Sequence, residues 1–155
     1  SSDKILENWE DIKKKERKEK LKKTASIFSG IPRSLPSLHY AYEVQNRASR
    51  LGFDWENTDD IFGKMEEELT ELRKEIKKAL KKPISGEIGD VLFTVVNISR
   101  HLDIDCEQSL YKTSKKFIKR FDFMEKYADK KKMDFKKLPL KEKDKLWEKA
   151  KKEIP

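Results

Sequence analysis

The sequence predicts an all-α fold, an antiparallel bundle of about five to six helices. Gly and Pro are scarce, at five residues each among 155, so few breaks separate the regular segments. Residues that favour helices, mainly Lys, Glu and Leu, dominate a composition that is 43% charged and 35% apolar. No segment alternates strictly between apolar and polar residues, as a half-buried strand would.

The N-terminal segment predicts a solvated helix over residues 3–23. Ile5, Trp9 and Ile12 recur at helical spacing, whereas the residues after Ile12 are nearly all charged. Residues 24–36 contain two prolines, a glycine and several serines. That composition predicts a connector rather than a further helix.

A second helix is predicted over residues 37–51. Ser37 is placed to cap its first turn, and Gly52 is placed to end it in a left-handed conformation. Phe53 and Trp55 follow in a turn. Because large aromatic rings are usually buried, we expect both to pack inward.

The remaining helices are predicted from apolar residues that recur at steps of three and four. A third helix runs from about residue 58 to 80, and a fifth runs from about residue 105 to 130. Between them, the helix over residues 83–102 is the most apolar part of the chain. Pro83 suits its first turn, where a missing N–H needs no partner. A short basic helix is expected over residues 141–153.

Two pairs of carboxylates, each spaced three residues apart, lie on neighbouring predicted helices. Glu68 and Glu71 lie about 60° apart on one helix face, beside its apolar stripe. Glu87 and Asp90 repeat this spacing just before the apolar run VLFTVVNIS (91–99). A lone carboxylate buried in such surroundings is costly unless it is paired or bound to a metal.

The short connection between these two helices predicts that they are antiparallel neighbours. Each acid pair then lies about 10–13 Å of helix from the connection, so the four carboxylates can converge. Converging carboxylates repel each other without a cation, and oxygen ligands favour Mg²⁺ or Mn²⁺ over Zn²⁺. The spacing alone is weak evidence, because such acid pairs are common on solvated helix faces interleaved with lysines.

The net charge of +8 suits an anionic partner, such as a nucleic acid, a membrane surface or a polyphosphate. The excess of lysine lies mainly in residues 13–23 and 130–152, whereas residues 66–75 are acidic. A purely nucleic-acid-binding protein has little reason to place an acidic cluster at its centre. Nucleic acid is therefore not the partner that we expect.

Location and membrane association also follow from the composition. No apolar run approaches the length of a membrane span and no secretory signal is visible, so we expect no membrane partner. The single Cys106 cannot form an internal disulfide, which agrees with a reducing cytoplasm. Since the sequence begins Ser-Ser without an initiator Met, we expect a piece of a longer protein.

The acid motifs carry a resemblance to a known family. Glu67-Glu68-Leu-Thr-Glu71 followed by Glu87-Ile-Gly-Asp90 resembles the EExxE and ExxD signature of the all-α NTP pyrophosphohydrolases, and in particular the C-terminal domain of MazG proteins. Further segments that resemble MazG are IPRSLPSL (31–38), GFDW (52–55), EIGDVLFTVVNISRHL (87–102) and KFIKRF (116–121). The opening ILENWEDIKKKE (5–16) resembles the linker between the two halves of such proteins. We therefore expect a linker over residues 1–23 and a MazG-type domain over residues 24–155.

The resemblance implies an activity, a cofactor and an assembly. The reaction would be NTP + H₂O → NMP + PPi with Mg²⁺, for which Mn²⁺ is a possible substitute. The metal ligands would be Glu68, Glu71, Glu87 and Asp90. The family fold further implies a homodimer. The family's activity implies a role in clearing unwanted nucleotides at broad specificity.

The resemblance also assigns roles to polar residues outside the acid pairs. The matched positions are Lys116 and Arg120 for triphosphate binding and catalysis, Trp147 and Lys151 for nucleotide contact, and Lys64 and Glu67 beside the metal. Among them, Glu67 could orient or deprotonate the attacking water. Asn97 is added on position alone, because it lies two turns beyond Asp90 on the same polar strip and could reach the nucleotide.

Other interpretations of these residues and of the whole chain remain open. Lys116 and Arg120 also suit a solvated basic helix, and Trp147 alone is more typical of helix packing than of base stacking. A narrower relative, such as an all-α dUTP pyrophosphatase or a phosphoribosyl-ATP pyrophosphohydrolase, would share the acid motifs. The alternatives outside this enzyme class are a basic nucleic-acid-binding module and a regulatory domain without activity, although the intact acid set argues against the latter.

Overall fold

The computed structural model describes residues 2–155, with the side chains of residues 3–21 and 25–155. Its helices are α1 (Ser2–Thr24), α2 (Ser37–Ser49), α3 (Thr58–Lys78), α4 (Lys81–His101), α5 (Cys106–Lys130) and α6 (Leu140–Glu153), with a 3₁₀ helix at Phe135–Lys137. Over the described residues there is no strand, so the predicted all-α class is confirmed. Residue 1 of the predicted linker lies outside the described residues, as do the side chains of residues 2 and 22–24.

The chain divides into two compact units, Ser1–Asn97 and Ile98–Pro155. Helices α1, α2, α3 and most of α4 belong to the first unit, whereas α5, the 3₁₀ helix and α6 belong to the second. Among the described helices, none combines the length and the apolarity that crossing a membrane would require.

Helix α1 is solvated, as its charged sequence predicts. All of its described side chains are exposed, including the apolar residues at helical spacing, Ile5, Trp9 and Ile12. The ammonium of Lys13 lies 4.7 Å from the centroid of the Trp9 ring, which is a cation–π distance.

Helix α2 begins and ends close to its predicted bounds, but two details were wrong. Its N-cap is Pro36, and Ser37 is already its first helical residue. Pro36 is extended, and its carbonyl accepts the first helical N–H, that of Tyr40, at 2.8 Å. Gly52 does adopt a left-handed conformation after the helix, with φ at 82°. Phe53 is 82% exposed rather than packed inward.

Helices α3 and α4 follow each other after only two residues, Ala79 and Leu80, which confirms the short connection. Asn57 caps the start of α3, since its side-chain oxygen accepts the backbone N–H of Asp60 at 3.0 Å. Ala79 ends α3 in the left-handed region, with φ at 57°, and its N–H donates to the Ile76 carbonyl. This left-handed residue turns the chain from one acid-bearing helix into the next.

The second unit is held together by a core between α5 and α6. Its buried residues are Met124 and Ala128 from α5 and Leu146 and Ala150 from α6. Half-buried aromatic residues surround this core, and the ring of Phe135 in the 3₁₀ helix packs edge-on against a ring of α5. Helix α5 starts at an Asp105 cap, whose carboxylate accepts the Gln108 N–H at 3.0 Å.

The left-handed Ala79 generates a stability prediction. A Cβ in this conformation costs about 1–2 kcal/mol, and glycine removes that cost while it adds about 0.5–1 kcal/mol of unfolded-state entropy. We expect Ala79→Gly to raise the free energy of unfolding by about 0.5–1 kcal/mol in urea denaturation. The matched control, Ala150→Gly in the buried interior of α6, should lower it by about 1–2 kcal/mol. Destabilisation by both variants would contradict the strain at Ala79.

Candidate functional site

Three carboxylates converge in the first unit, one from α3 and two from α4. Oxygen atoms of Glu68, Glu87 and Asp90 all lie within 4.8 Å of one another. These are three of the four predicted metal ligands, drawn from both acid pairs. The meeting follows from the two-residue connection, which brings the middle of α3 beside the first half of α4.

The three carboxylates differ in exposure, so one side of the group is accessible to solvent. Glu68 is buried, at 7% exposure, while Glu87 is half-buried and Asp90 is exposed. Partial burial raises the pKa of Glu87 above its ordinary value, and the neighbouring charges of Asp90, Glu68, Glu71 and Glu75 raise it further. The carboxylates therefore repel one another where they meet.

The donor set fits a hard divalent cation. Carboxylate oxygens are the ligands that Mg²⁺ prefers, and two ligands on opposite sides of that ion are about 4 Å apart. Three oxygens within 4.8 Å of one another could therefore close on one ion with small side-chain adjustments. The repulsion among the carboxylates would be relieved by the same ion.

Glu71 lies outside this three-carboxylate group. Its carboxylate accepts a hydrogen bond from the Lys74 ammonium at 2.8 Å, and that bond holds the pKa of Glu71 below its ordinary value. Glu71 is still close enough for its charge to raise the pKa of Glu87. Its role as a fourth ligand stays a prediction.

Lys64 and Glu67 belong to α3 and lie beside the three-carboxylate group. The Lys64 ammonium contacts Glu68 Oε1 at 2.5 Å and Glu67 Oε1 at 3.3 Å. These hydrogen bonds raise the pKa of Lys64, with that to Glu68 the stronger cause. The Glu67 side chain is 65% exposed, so water can reach its carboxylate.

A buried polar strip continues along α4 beyond Asp90. The Thr94 hydroxyl donates to the Asp90 carbonyl at 2.8 Å, and Asn97 is buried at 9% exposure. Gln45 of α2 reaches the same helix, where its Nε2 donates to the Phe93 carbonyl at 2.8 Å. The Gln45 Oε1 is buried and has no hydrogen-bond partner among the described residues. Sequence reasoning missed Gln45, because a single Gln in a half-buried helix carries no periodic signal.

Arg120, predicted to bind the triphosphate, is held on two sides within the second unit. Its Nε donates to the Ile154 carbonyl at 2.9 Å, and its guanidinium carbon lies 5.5 Å from the centroid of the Trp147 ring. Trp147 in turn lies 5.3 Å from the Phe117 ring. The Ile154 bond engages Nε, so a bidentate contact through the two terminal amino groups needs no release of this anchor.

The other residues of the second unit that are predicted to contact a nucleotide are Lys116, Trp147 and Lys151. Trp147 is half-buried against Phe117 and Arg120, which is the packing role that its sequence context favours. Lys116 is exposed one turn before Arg120 on α5. The Lys151 ammonium pairs with Glu148 at 2.8 Å on α6. Contact of these residues with a nucleotide stays a prediction.

Comparison with protein families identifies the domain that contains these motifs. Residues 58–123 match the family described as the MazG nucleotide pyrophosphohydrolase domain. The match covers α3 and α4 in full and most of α5, so it includes the three-carboxylate group. The chain contains a MazG-type domain.

Named relatives extend the MazG match over nearly the whole chain. A Thermotoga maritima protein named nucleoside triphosphate pyrophosphohydrolase/pyrophosphatase MazG is 42% identical over 143 residues, 92% of this chain. An Escherichia coli K12 protein named nucleoside triphosphate pyrophosphohydrolase is 33% identical over 155 residues, 99% of this chain. The Bacillus subtilis protein YabN, which carries no functional name, is 37% identical over 148 residues, 95% of this chain.

These relatives are longer than this chain. The chain covers 54% of the Thermotoga protein, 58% of the E. coli protein and 30% of YabN. It therefore spans about half the length of the two relatives that are named as pyrophosphohydrolases.

The repulsion inside the three-carboxylate group generates a prediction for Glu87→Gln. The substitution removes one negative charge and keeps the shape of the side chain. We therefore expect the metal-free variant to melt at a higher temperature than the metal-free original chain. Added Mg²⁺ should raise the melting temperature of the original chain and should raise that of Glu87→Gln much less. Differential scanning fluorimetry with and without Mg²⁺ measures both effects.

Glu125→Gln, on an exposed residue of α5 in the second unit, is the matched control. It should leave the Mg²⁺-dependent shift unchanged. An equal Mg²⁺ shift in Glu87→Gln and the original chain would contradict a cation site at the three carboxylates.

Proposed function

We propose that this chain hydrolyses nucleoside triphosphates to nucleoside monophosphate and pyrophosphate with Mg²⁺. The observation that carries the proposal is the three-carboxylate group, Glu68, Glu87 and Asp90, inside the segment that matches the MazG domain. The names of the Thermotoga and E. coli relatives support the reaction class. Oxygen-only donors support Mg²⁺, with Mn²⁺ as a substitute.

In this proposal Glu68, Glu87 and Asp90 hold the metal, and Glu71 is the fourth ligand after it exchanges Lys74 for the ion. When bound, Mg²⁺ would neutralise triphosphate charge and make an attacking water more acidic. Glu67 is proposed to orient or deprotonate that water, since its carboxylate is exposed and its neighbour Glu68 belongs to the group.

Cations of the chain are proposed to stabilise the charge that develops on the leaving pyrophosphate. Arg120 and Lys116 bind the triphosphate, and the anchoring of Arg120 by Trp147 and Ile154 supports this role, because a pre-oriented guanidinium loses little freedom on binding. Further nucleotide contacts are proposed for Lys64, Asn97, Trp147 and Lys151.

We also propose that two copies of the chain form a dimer of antiparallel helical bundles. Apolar side chains on the two acid-bearing helices are exposed, among them Ile76 at 54%, Ile88 at 47% and Leu92 at 48%. Exposed apolar surface of this kind is typical of an interface between subunits.

Residues 24–155 are the catalytic domain, preceded by a linker over residues 1–23. The expected role is broad-specificity clearance of nucleotides in the cytoplasm. A narrow specificity, as in a dUTP pyrophosphatase, is the alternative that a substrate panel decides.

Product analysis tests the proposed reaction. Incubation with each common NTP and dNTP and Mg²⁺ should release NMP and pyrophosphate, and H₂¹⁸O should label one of the two products and so identify the phosphorus attacked. Asp90→Ala should lower turnover by about 10²-fold or more, because it removes an oxygen from the metal set. Glu66→Ala, on an exposed neighbouring acid of α3, should retain activity.

Release of NDP and orthophosphate would contradict the proposed reaction. Salt-sensitive binding of DNA or RNA that persists in EDTA and in Asp90→Ala, without any turnover, would instead support a nucleic-acid-binding module.

A further inference from the structure

Lys64 differs from the other lysines that pair with acids along α3. Lys74 and Lys78 each pair with an acid three residues earlier, and their side chains are 60% and 61% exposed. Lys64 pairs with two successive acids, Glu67 and Glu68, and its side chain is only 35% exposed. Its ammonium therefore lies at the edge of the three-carboxylate group rather than in bulk solvent.

Lys64 contacts a carboxylate that belongs to the three-carboxylate group. Glu68 is the buried member of the group, with a side chain that is 9% exposed, and its Oε1 accepts the Lys64 ammonium at 2.5 Å. The lone pair that accepts the ammonium proton is not available to a metal at the same time, which leaves the other lone pairs of the carboxylate for coordination. An ammonium and a divalent cation on one carboxylate also repel each other.

The same ammonium offsets part of the repulsion within the group when no metal is bound. Three carboxylates whose oxygens lie within 4.8 Å of one another are stabilised by any cation that reaches them. Lys64 is attached one turn before Glu68, so it supplies that charge within the chain.

We propose that Lys64 is an internal counter-ion that competes with the divalent metal for Glu68 and moves to the triphosphate when metal and nucleotide bind together. This inference rests on the proposed function. It gives the site weak affinity for the metal alone, and it couples metal binding to nucleotide binding, because the displaced ammonium gains phosphate oxygens as new partners. By linkage, the metal must strengthen nucleotide binding by the same factor.

Equilibrium binding of Mn²⁺ to the full chain, followed by electron paramagnetic resonance without nucleotide, tests this role independently of turnover. Lys64→Met removes the charge and keeps the length of the side chain, so it should bind Mn²⁺ about 5-fold or more tightly than the original chain. Lys64→Arg keeps the charge and should bind like the original chain. Lys78→Met removes an equivalent charge from the same helix and should have a much smaller effect.

A second titration, with a non-hydrolysable NTP analogue present, tests the coupling. The analogue should tighten Mn²⁺ binding to the original chain more than to Lys64→Met. Lys64→Gln serves as a second variant if circular dichroism shows that Lys64→Met is unfolded.

Equal Mn²⁺ affinity in Lys64→Met and the original chain would overturn the inference, as would weaker binding in Lys64→Met, which would make Lys64 an orienting residue. Failure to bind Mn²⁺ in both would also overturn it. If the original chain binds Mn²⁺ but releases no NMP, the proposed reaction fails while the comparison of affinities still decides the role of Lys64.

Discussion

Repulsion among Glu68, Glu87 and Asp90 is the constraint on which the first unit depends. Their oxygens meet within 4.8 Å because α3 and α4 are joined by two residues, one of them the left-handed Ala79. The two-residue connection thus brings like charges close together. The Lys64 ammonium offsets part of the cost, and a divalent cation would offset more of it.

In the second unit, the Arg120 side chain is positioned in a different way. Arg120 is held by a cation–π contact with Trp147 and by a hydrogen bond to the Ile154 carbonyl, so its charge is positioned by packing. The acids of the first unit are positioned against their own repulsion, whereas this guanidinium is held by favourable contacts. In each unit, charged groups are therefore positioned by contacts within that unit.

Much of the fold and of the candidate site could be predicted from the sequence. Helical periodicity gave the six helices, and the short connection gave the meeting of Glu68 with Glu87 and Asp90. The position of Glu71 could not be predicted, because the preference of its carboxylate for Lys74 over the group depends on side-chain geometry. The exposure of Phe53 depends on which surface covers the turn, and composition carries no such information.

The proposed function requires that the three carboxylates form a divalent cation site. Anomalous diffraction from crystals grown with Mn²⁺ tests it most directly, because the metal is located without reference to activity. We predict an anomalous peak bound by carboxylate oxygens of Glu68, Glu87 and Asp90, with Lys64 displaced from Glu68. A peak elsewhere, or no peak at these residues at saturating Mn²⁺, would contradict the claim.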